Sequence, residues 1–353
     1  MQLGTLVLDR MDMPSLLLWR AVCRASCGRV TRVLQSTMHH MVRRYLPCPR
    51  DFLRILRDCR AVLGGIFALA FMLRDDSIIS AALDVFIDEN CFPILLEYLT
   101  YSPFVSPHVV FDRITAPTPS FRHQRDIRRC ARFITATGRK IHIHESRTVS
   151  CYSPIGRSWT TALMNFVTED SFSCAYPRLT LSRRALFSEL TLESLTDDDY
   201  ENVQLLLSHG FLFALHSSHW PEYRVDIGTR QNPHTVPCMR HLYLCPDQGR
   251  YFGDPGSLFA FICPLTHNHT LAYATSRPPY GYMTVWRLWT MASCDNGCAY
   301  TDGILPGGVI SMPLFLVADP IFSRLSLSAT ETLPSSSSFT GTTVSRRNRA
   351  YTV

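Results

Sequence analysis

Through residues 12–46 apolar side chains return every three or four positions: Leu16, Leu17, Trp19, Ala21, Val22 and Cys23, then Val30, Val33 and Leu34. That period predicts an amphipathic helical region, opened by Asp12 as N-cap with Pro14 in the first turn. Pro47-Cys-Pro49 interrupts it, and residues 51–59 restart a helix with Phe52, Leu53, Ile55 and Leu56 apolar. From Arg60 to Asp88 a short apolar run ends in Gly64-Gly65, an apolar helix follows, and a polar loop leads to a strand carrying one acid, Asp84. Residues 92–101 predict a helix, and 106–114 a short strand inside a proline-rich segment. Residues 131–137 and 141–145 alternate apolar and polar about Gly138, which predicts a hairpin. A buried element is expected over 159–167, and helices over 179–193 and 197–213, the second with Asp197, Asp198 and Asp199 in its first turn and Gly210 as a C-cap. The expected class is α+β.

Beyond about residue 216 the pattern breaks into short β-like runs, residues 258–262 and 282–289, among dense cysteine, histidine, proline and glycine. Residues 326–353 are rich in Ser and Thr and nearly devoid of core-forming side chains, which predicts a disordered tail. At 353 residues and 46% hydrophobic content, the chain is long enough for two or three domains with real cores. The net charge of +6 is arginine-dominated and dispersed, so nucleic acid is not an expected partner. The N-terminal residues lack a basic segment followed by a long apolar one, and the longest apolar run, 61–73, is too short to cross a bilayer. With an odd 13 cysteines in no regular framework, reduced thiols and an intracellular, cytoplasmic or nuclear location are expected, with no membrane.

Residues 60–88 carry the candidate chemistry. A glycine turn at a helix N-terminus presents backbone N–H groups and a positive dipole end that suit phosphate, and an acid on the next strand suits a metal beside it. Leu63-Gly-Gly-Ile-Phe-Ala-Leu69, Ser80-Ala-Ala-Leu-Asp-Val-Phe86, Thr160-Thr-Ala-Leu-Met-Asn-Phe166 and Ala175-Tyr-Pro177 occur in that order. Together they resemble a group of proteins of mushroom-forming fungi in which an F-box-like N-terminus precedes a nucleotidyltransferase-like domain of the polymerase-beta type. That resemblance implies a Gly-Ser turn, two aspartates spaced i and i+2 on a strand, and a third acid on a neighbouring strand, around two metal ions. Here Ile66 stands at the Ser position and Ala82 at the first Asp, while Asp84 survives. The neighbouring strand offers His142 or His144, and imidazole is a poor ligand for magnesium. The acids Asp75, Asp76 and Asp88 are too far along the chain to replace the missing pair. Catalysis is therefore not expected: Gly64, Gly65 and Asp84 read as a vestigial nucleotide site, the alternative being nucleotide binding or weak transfer through the same three residues.

Met13-Pro-Ser-Leu-Leu-Leu-Trp-Arg-Ala-Val-Cys-Arg24 resembles the second half of an F-box, with its opening Leu-Pro helix shortened or lost. The resemblance implies docking of a ubiquitin-ligase adaptor, with Pro14, Leu16, Leu17, Val22 and Cys23 as candidates. The plainer alternative is a helix pair that covers the next domain. Three local spacings further on suit zinc: Cys238-x2-His241-x3-Cys245, Cys263-x3-His267-x-His269 and Cys294-x3-Cys298. None forms a tight knuckle with a second pair at the customary distance, so buried thiols and loop histidines are the preferred account of them. No cofactor is expected, with magnesium or structural zinc as the lesser alternatives. The expected organisation is an F-box-like helical region (1–46), a degenerate nucleotidyltransferase-like domain (47–215), a Cys/His-rich β-containing region (216–325) and the tail. The expected role is a non-catalytic binding or adaptor protein, an F-box-type substrate receptor among the possibilities.

Overall fold

A computed structural model describes residues 3–112, 126–188, 195, 197–224, 235–236, 238–262, 282–288, 293–294, 296 and 309–313. The tail at 326–353 lies outside the described residues. The chain runs α1 (Leu3–Arg10), α2 (Met13–Val22), α3 (Arg24–Arg43), α4 (Pro49–Asp58), β1 (Val62–Leu63), α5 (Gly65–Leu73), β2 (Ala82–Ile87), α6 (Phe92–Thr100), β3 (Val105–Asp112), β4 (Ile127–Thr135) and β5 (Lys140–Ser146). It continues through α7 (Ser153–Gly156), β6 (Asn165–Val167), β7 (Ser171–Cys174), α8 (Pro177–Thr180), β8 (Arg184–Leu186), α9 (Asp197–Ser208) and β9 (Leu212–Ala214). Then come β10 (Thr235–Val236), β11 (Arg250–Tyr251), β12 (Leu258–Phe261), β13 (Tyr282–Trp286), β14 (Ser293–Cys294) and β15 (Val309–Pro313). The class is α+β.

The helical start follows from local chemistry. The Asp12 carboxylate accepts the Ser15 N–H at 2.8 Å, and Pro14 occupies the first turn of α2. Cys23 is fully extended and ends α2, and its sulfur then accepts the Ser26 N–H to start α3. Along α3, Val30, Val33, Leu34, Met38, Met41 and Val42 are buried at helical spacing, and the opposite side is solvated. These side chains join one apolar cluster with α5 and the sheet, so no separate core begins at residue 47. In α5 every residue from Ile66 to Met72 is buried. A helix apolar all round must be covered all round, and this one is packed within that cluster.

The main sheet has eight strands in the order β12-β7-β6-β1-β2-β5-β4-β3. Its pairs are antiparallel except β2 and β5, which run parallel with Asp84 opposite His142 and Phe86 opposite His144. Leu83, Val85, Ile87, Ile141 and Ile143 face the cluster that holds α5. Alternation sends Asp84, Phe86, His142 and His144 to the other face. There a second cluster, including Phe86, Tyr152, Ile155, Phe166, Trp220, Phe252 and Trp286, draws on the C-terminal region. The edge strand β12 also comes from beyond residue 215, so the sheet is completed by chain outside the 47–215 segment.

Of the helix expected over 179–193, residues 189–193 lie outside the described residues, and the rest forms the single turn α8 and the strand β8. Arg183 at φ 52° breaks the helical path, and the Leu212 N–H takes the Arg183 carbonyl to start parallel pairing of β8 with β9. The next helix ends at Ser208, not Phe213, because Gly210 (φ +78°) turns the chain into β9. Among the described residues no helix is long and apolar enough to cross a membrane.

Candidate functional site

The Gly64-Gly65 turn follows directly on β1, and its geometry explains both glycines. Gly65 has φ +59°, and a β-carbon there would lie 2.4 Å from Asp84 Oδ2. A β-carbon on Gly64 would lie 2.5 Å from the Phe86 ring. The Gly64 N–H also donates to the Asp84 carbonyl at 3.0 Å. The glycine turn and the Asp84 strand are thus in contact, as the sequence pattern anticipates. The contact, however, sets a carboxylate against the N-terminus of α5. That charge complements the helix dipole and occupies the approach a phosphate would use.

Asp84 is itself engaged. Its Oδ1 lies 3.0 Å from His144 Nε2 and 3.4 Å from His142 Nδ1. Burial alone would raise its pKa, but the hydrogen bonds from the two histidines prevail and hold the carboxyl well below the usual carboxylate range. For His144, burial works against the charged ring, yet Cys130 on the facing strand and the Asp84 carboxylate outweigh it and lift the pKa to about 10. His144 also stacks on Phe86, with ring centres 4.8 Å apart. The result is an ion pair on the sheet, walled on one side by an aromatic ring.

The ligand atoms of Asp84, His142 and His144 all lie within 4.8 Å of one another. One carboxylate and two imidazoles suit a borderline transition metal better than magnesium. Two-metal phosphoryl transfer needs further carboxylates on this face, and Ala82 supplies none. The buried acid nearest in sequence, Glu145, projects to the opposite face and pairs with Arg129 and, at 3.7 Å, Arg128. Asp75 binds Arg183 at 2.8 Å, Asp76 pairs with Arg44 at 3.6 Å, and Asp88 caps the turn into α6 through the Asn90 and Cys91 N–H groups. Each of these acids has structural employment elsewhere.

The other candidates separate clearly. Leu16 is in the core, Pro14 and Leu17 are half-buried, and Val22 and Cys23 are exposed. Leu16 therefore anchors α2 instead of facing a partner, and the outward apolar residues are Leu18 (73% exposed), Val22 (67%) and Trp19 (43%). Leu18 and Trp19 are not among the docking candidates drawn from the sequence, although Leu18 and Val22 stand at i and i+4 on one helix face. Cys238, Cys245 and Cys294 come together, with their sulfurs within 4.8 Å of one another. His241 is exposed on the turn between the first two and stands outside that set. Cys263, His267, His269 and Cys298 lie outside the described residues.

Sequence reasoning missed the buried pair of Arg250 and Asp254, joined at 2.6 and 3.0 Å. Arg250 also donates to the Ala175 carbonyl and lies over the Tyr176 ring, tying the C-terminal region to the sheet. An Arg and an Asp four residues apart in a loop carry no signal that separates such a pair from a solvated one. Comparisons with protein-family models, with curated proteins and with solved structures find no match.

Proposed function

We propose that this chain is a non-catalytic binding protein: a degenerate nucleotidyltransferase-like scaffold whose N-terminal helices dock the adaptor of a cullin-type ubiquitin ligase. The observation that carries the reading is the split of α2 into an anchored side and an outward side. Met13 and Leu16 fix the helix in the core, while Leu18, Trp19 and Val22 present apolar surface to solvent. Exposed apolar side chains are ordinary singly; three on one short helix within an F-box-like segment favour a partner surface. The Asp84 pairing supports the non-catalytic part, because the surviving acid is committed to two histidines and the glycine turn is filled by its carboxylate.

Affinity capture of the intact chain with the purified ligase adaptor tests this directly. Association is expected, and the double change Leu18→Glu with Val22→Glu is expected to weaken it at least tenfold. Absence of association by the intact, folded chain overturns the docking reading. Calorimetry with ATP, GTP and CTP plus magnesium is expected to give no heat. Saturable heat that disappears in Asp84→Asn overturns the non-catalytic reading in favour of a nucleotide site at Gly64, Gly65 and Asp84.

A further inference from the structure

Cys238 and Cys245 flank a single helical turn at Arg240–Leu242, and Cys294 arrives on β14 from a distant part of the chain. β14 pairs in parallel with β10, with Cys294 opposite Val236, which brings the third cysteine beside the first. The three sulfurs lie within 4.8 Å of one another; Cys245 and Cys294 are buried and Cys238 is half-buried. We infer that these three cysteines form a structural zinc site.

Four features support a metal over a chance meeting of thiols. The first is distance: zinc–sulfur bonds of about 2.3 Å in a tetrahedron place sulfurs about 3.8 Å apart, which lies within the 4.8 Å limit that the three sulfurs keep. The second is grouping and burial: among the described residues Cys245 (2% exposed) and Cys294 (4%) are buried against one another with Cys238 packed beside them.

The third feature is the hydrogen bonding of the ligand itself. The Asn296 N–H donates to Cys294 Sγ at 3.4 Å. A backbone donor aimed at the sulfur is the kind of outer contact that orients a metal ligand. The fourth is the support behind it. Asp247 is a buried carboxylate two residues after Cys245, and it accepts the Cys294 N–H at 2.6 Å. That bond fixes the Cys245 turn against the Cys294 strand, as outer partners commonly fix metal ligands. An all-sulfur donor set in a closed setting selects zinc over magnesium or calcium. The three cysteines supply three of the four donors of a tetrahedral site.

The inference is independent of the docking reading. Its test is elemental analysis of the full chain, purified under reducing conditions without chelator. About one zinc per chain is expected, released in step with modification of thiols by a mercurial reagent. Exchange with cobalt is expected to give thiolate-to-metal charge-transfer absorption in the near ultraviolet. Cys245→Ser and Cys294→Ser are each expected to reduce bound zinc at least tenfold. Asp247→Ala, which keeps all three ligands, is expected to lower zinc affinity about 10–100-fold in chelator competition. Zinc below a tenth of an equivalent in the unaltered chain overturns the inference, as does a disulfide among the three cysteines in the reduced preparation. Full zinc retention in both Cys→Ser variants overturns it equally. Because the first measurements use the unaltered chain, a variant that fails to fold leaves the answer intact.

Discussion

Two clusters in this chain each bring three potential metal ligands within 4.8 Å, and they differ in what they require. At Asp84 the members have opposite charges: the carboxylate is held ionised, His144 is held protonated, and each satisfies the other. At Cys238, Cys245 and Cys294 the members are alike. Three thiolates repel, and three thiols are poor hydrogen-bond partners for one another. Opposite charges at the first offset the cost of burying them, whereas the second gathers three donors of one kind, the set a soft or borderline cation prefers. Composition thus separates two sites that share a geometry. The first sets one carboxylate between two imidazoles, and the second is an all-sulfur donor set.

The sharpest way to break the comparison is to remove metal. Chelation of the native chain is expected to cost about 3–5 kcal/mol, a fall in Tm on the order of 10 °C, read by differential scanning fluorimetry with and without zinc restoration. Asp84→Asn is expected to leave that chelator-induced fall unchanged. Gly65→Ala comes next. It forces a side chain into φ +59° and drives its β-carbon against Asp84 Oδ2, for an expected loss of about 2–4 kcal/mol in urea denaturation. Gly28→Ala is the control of opposite sign. It lies in α3 with nothing within 4 Å of an added β-carbon, so a gain of about 0.5–1 kcal/mol is expected.

The ion pair also predicts a pH dependence. His144 has a folded pKa of about 10, above its ordinary 6.5, so its contribution is complete below 6.5 and is withdrawn as pH rises towards 10. Asp84 has a lowered pKa, so its contribution is present above its ordinary 3.8 and is lost as pH falls below that value. Stability from this cluster is therefore greatest between pH 3.8 and 6.5 and falls progressively on the alkaline side. His144→Gln is expected to flatten the alkaline limb of the Tm profile. The smallest effect belongs to α2: Leu18→Glu with Val22→Glu is expected to change stability by less than about 0.5 kcal/mol per site, because both side chains are exposed. A larger loss would mean that the outward face is packed within the molecule.

Much of the fold was legible because its signals are local. The Asp12 cap, the Gly138 hairpin and the Gly64-Gly65 break each act within a few residues, and each stands where the pattern placed it. The same locality explains the misreading at 179–193. Apolar spacing there fits a helix, but Arg183 in the left-handed region and pairing with β9 decide for a strand, and neither is visible from the segment alone. At the candidate site, Asp84 and the histidine strand were legible as types and spacings. That both histidines reach one carboxylate oxygen depends on the parallel register of β2 with β5.

The sequence by itself determined the α+β class, the glycine turn, the single acid of β2 and the residues whose side chains suit a metal. Those follow from backbone preference and periodicity, which are properties of neighbours along the chain. Only the tertiary structure decided which of them meet. Cysteines far apart in the chain converge because β14 pairs with β10, His241 is left outside because its turn points to solvent, and residues 258–261 complete a sheet begun some two hundred residues earlier. Such long-range choices are fixed by burial and strand pairing acting on the whole chain at once, and no local segment holds that information.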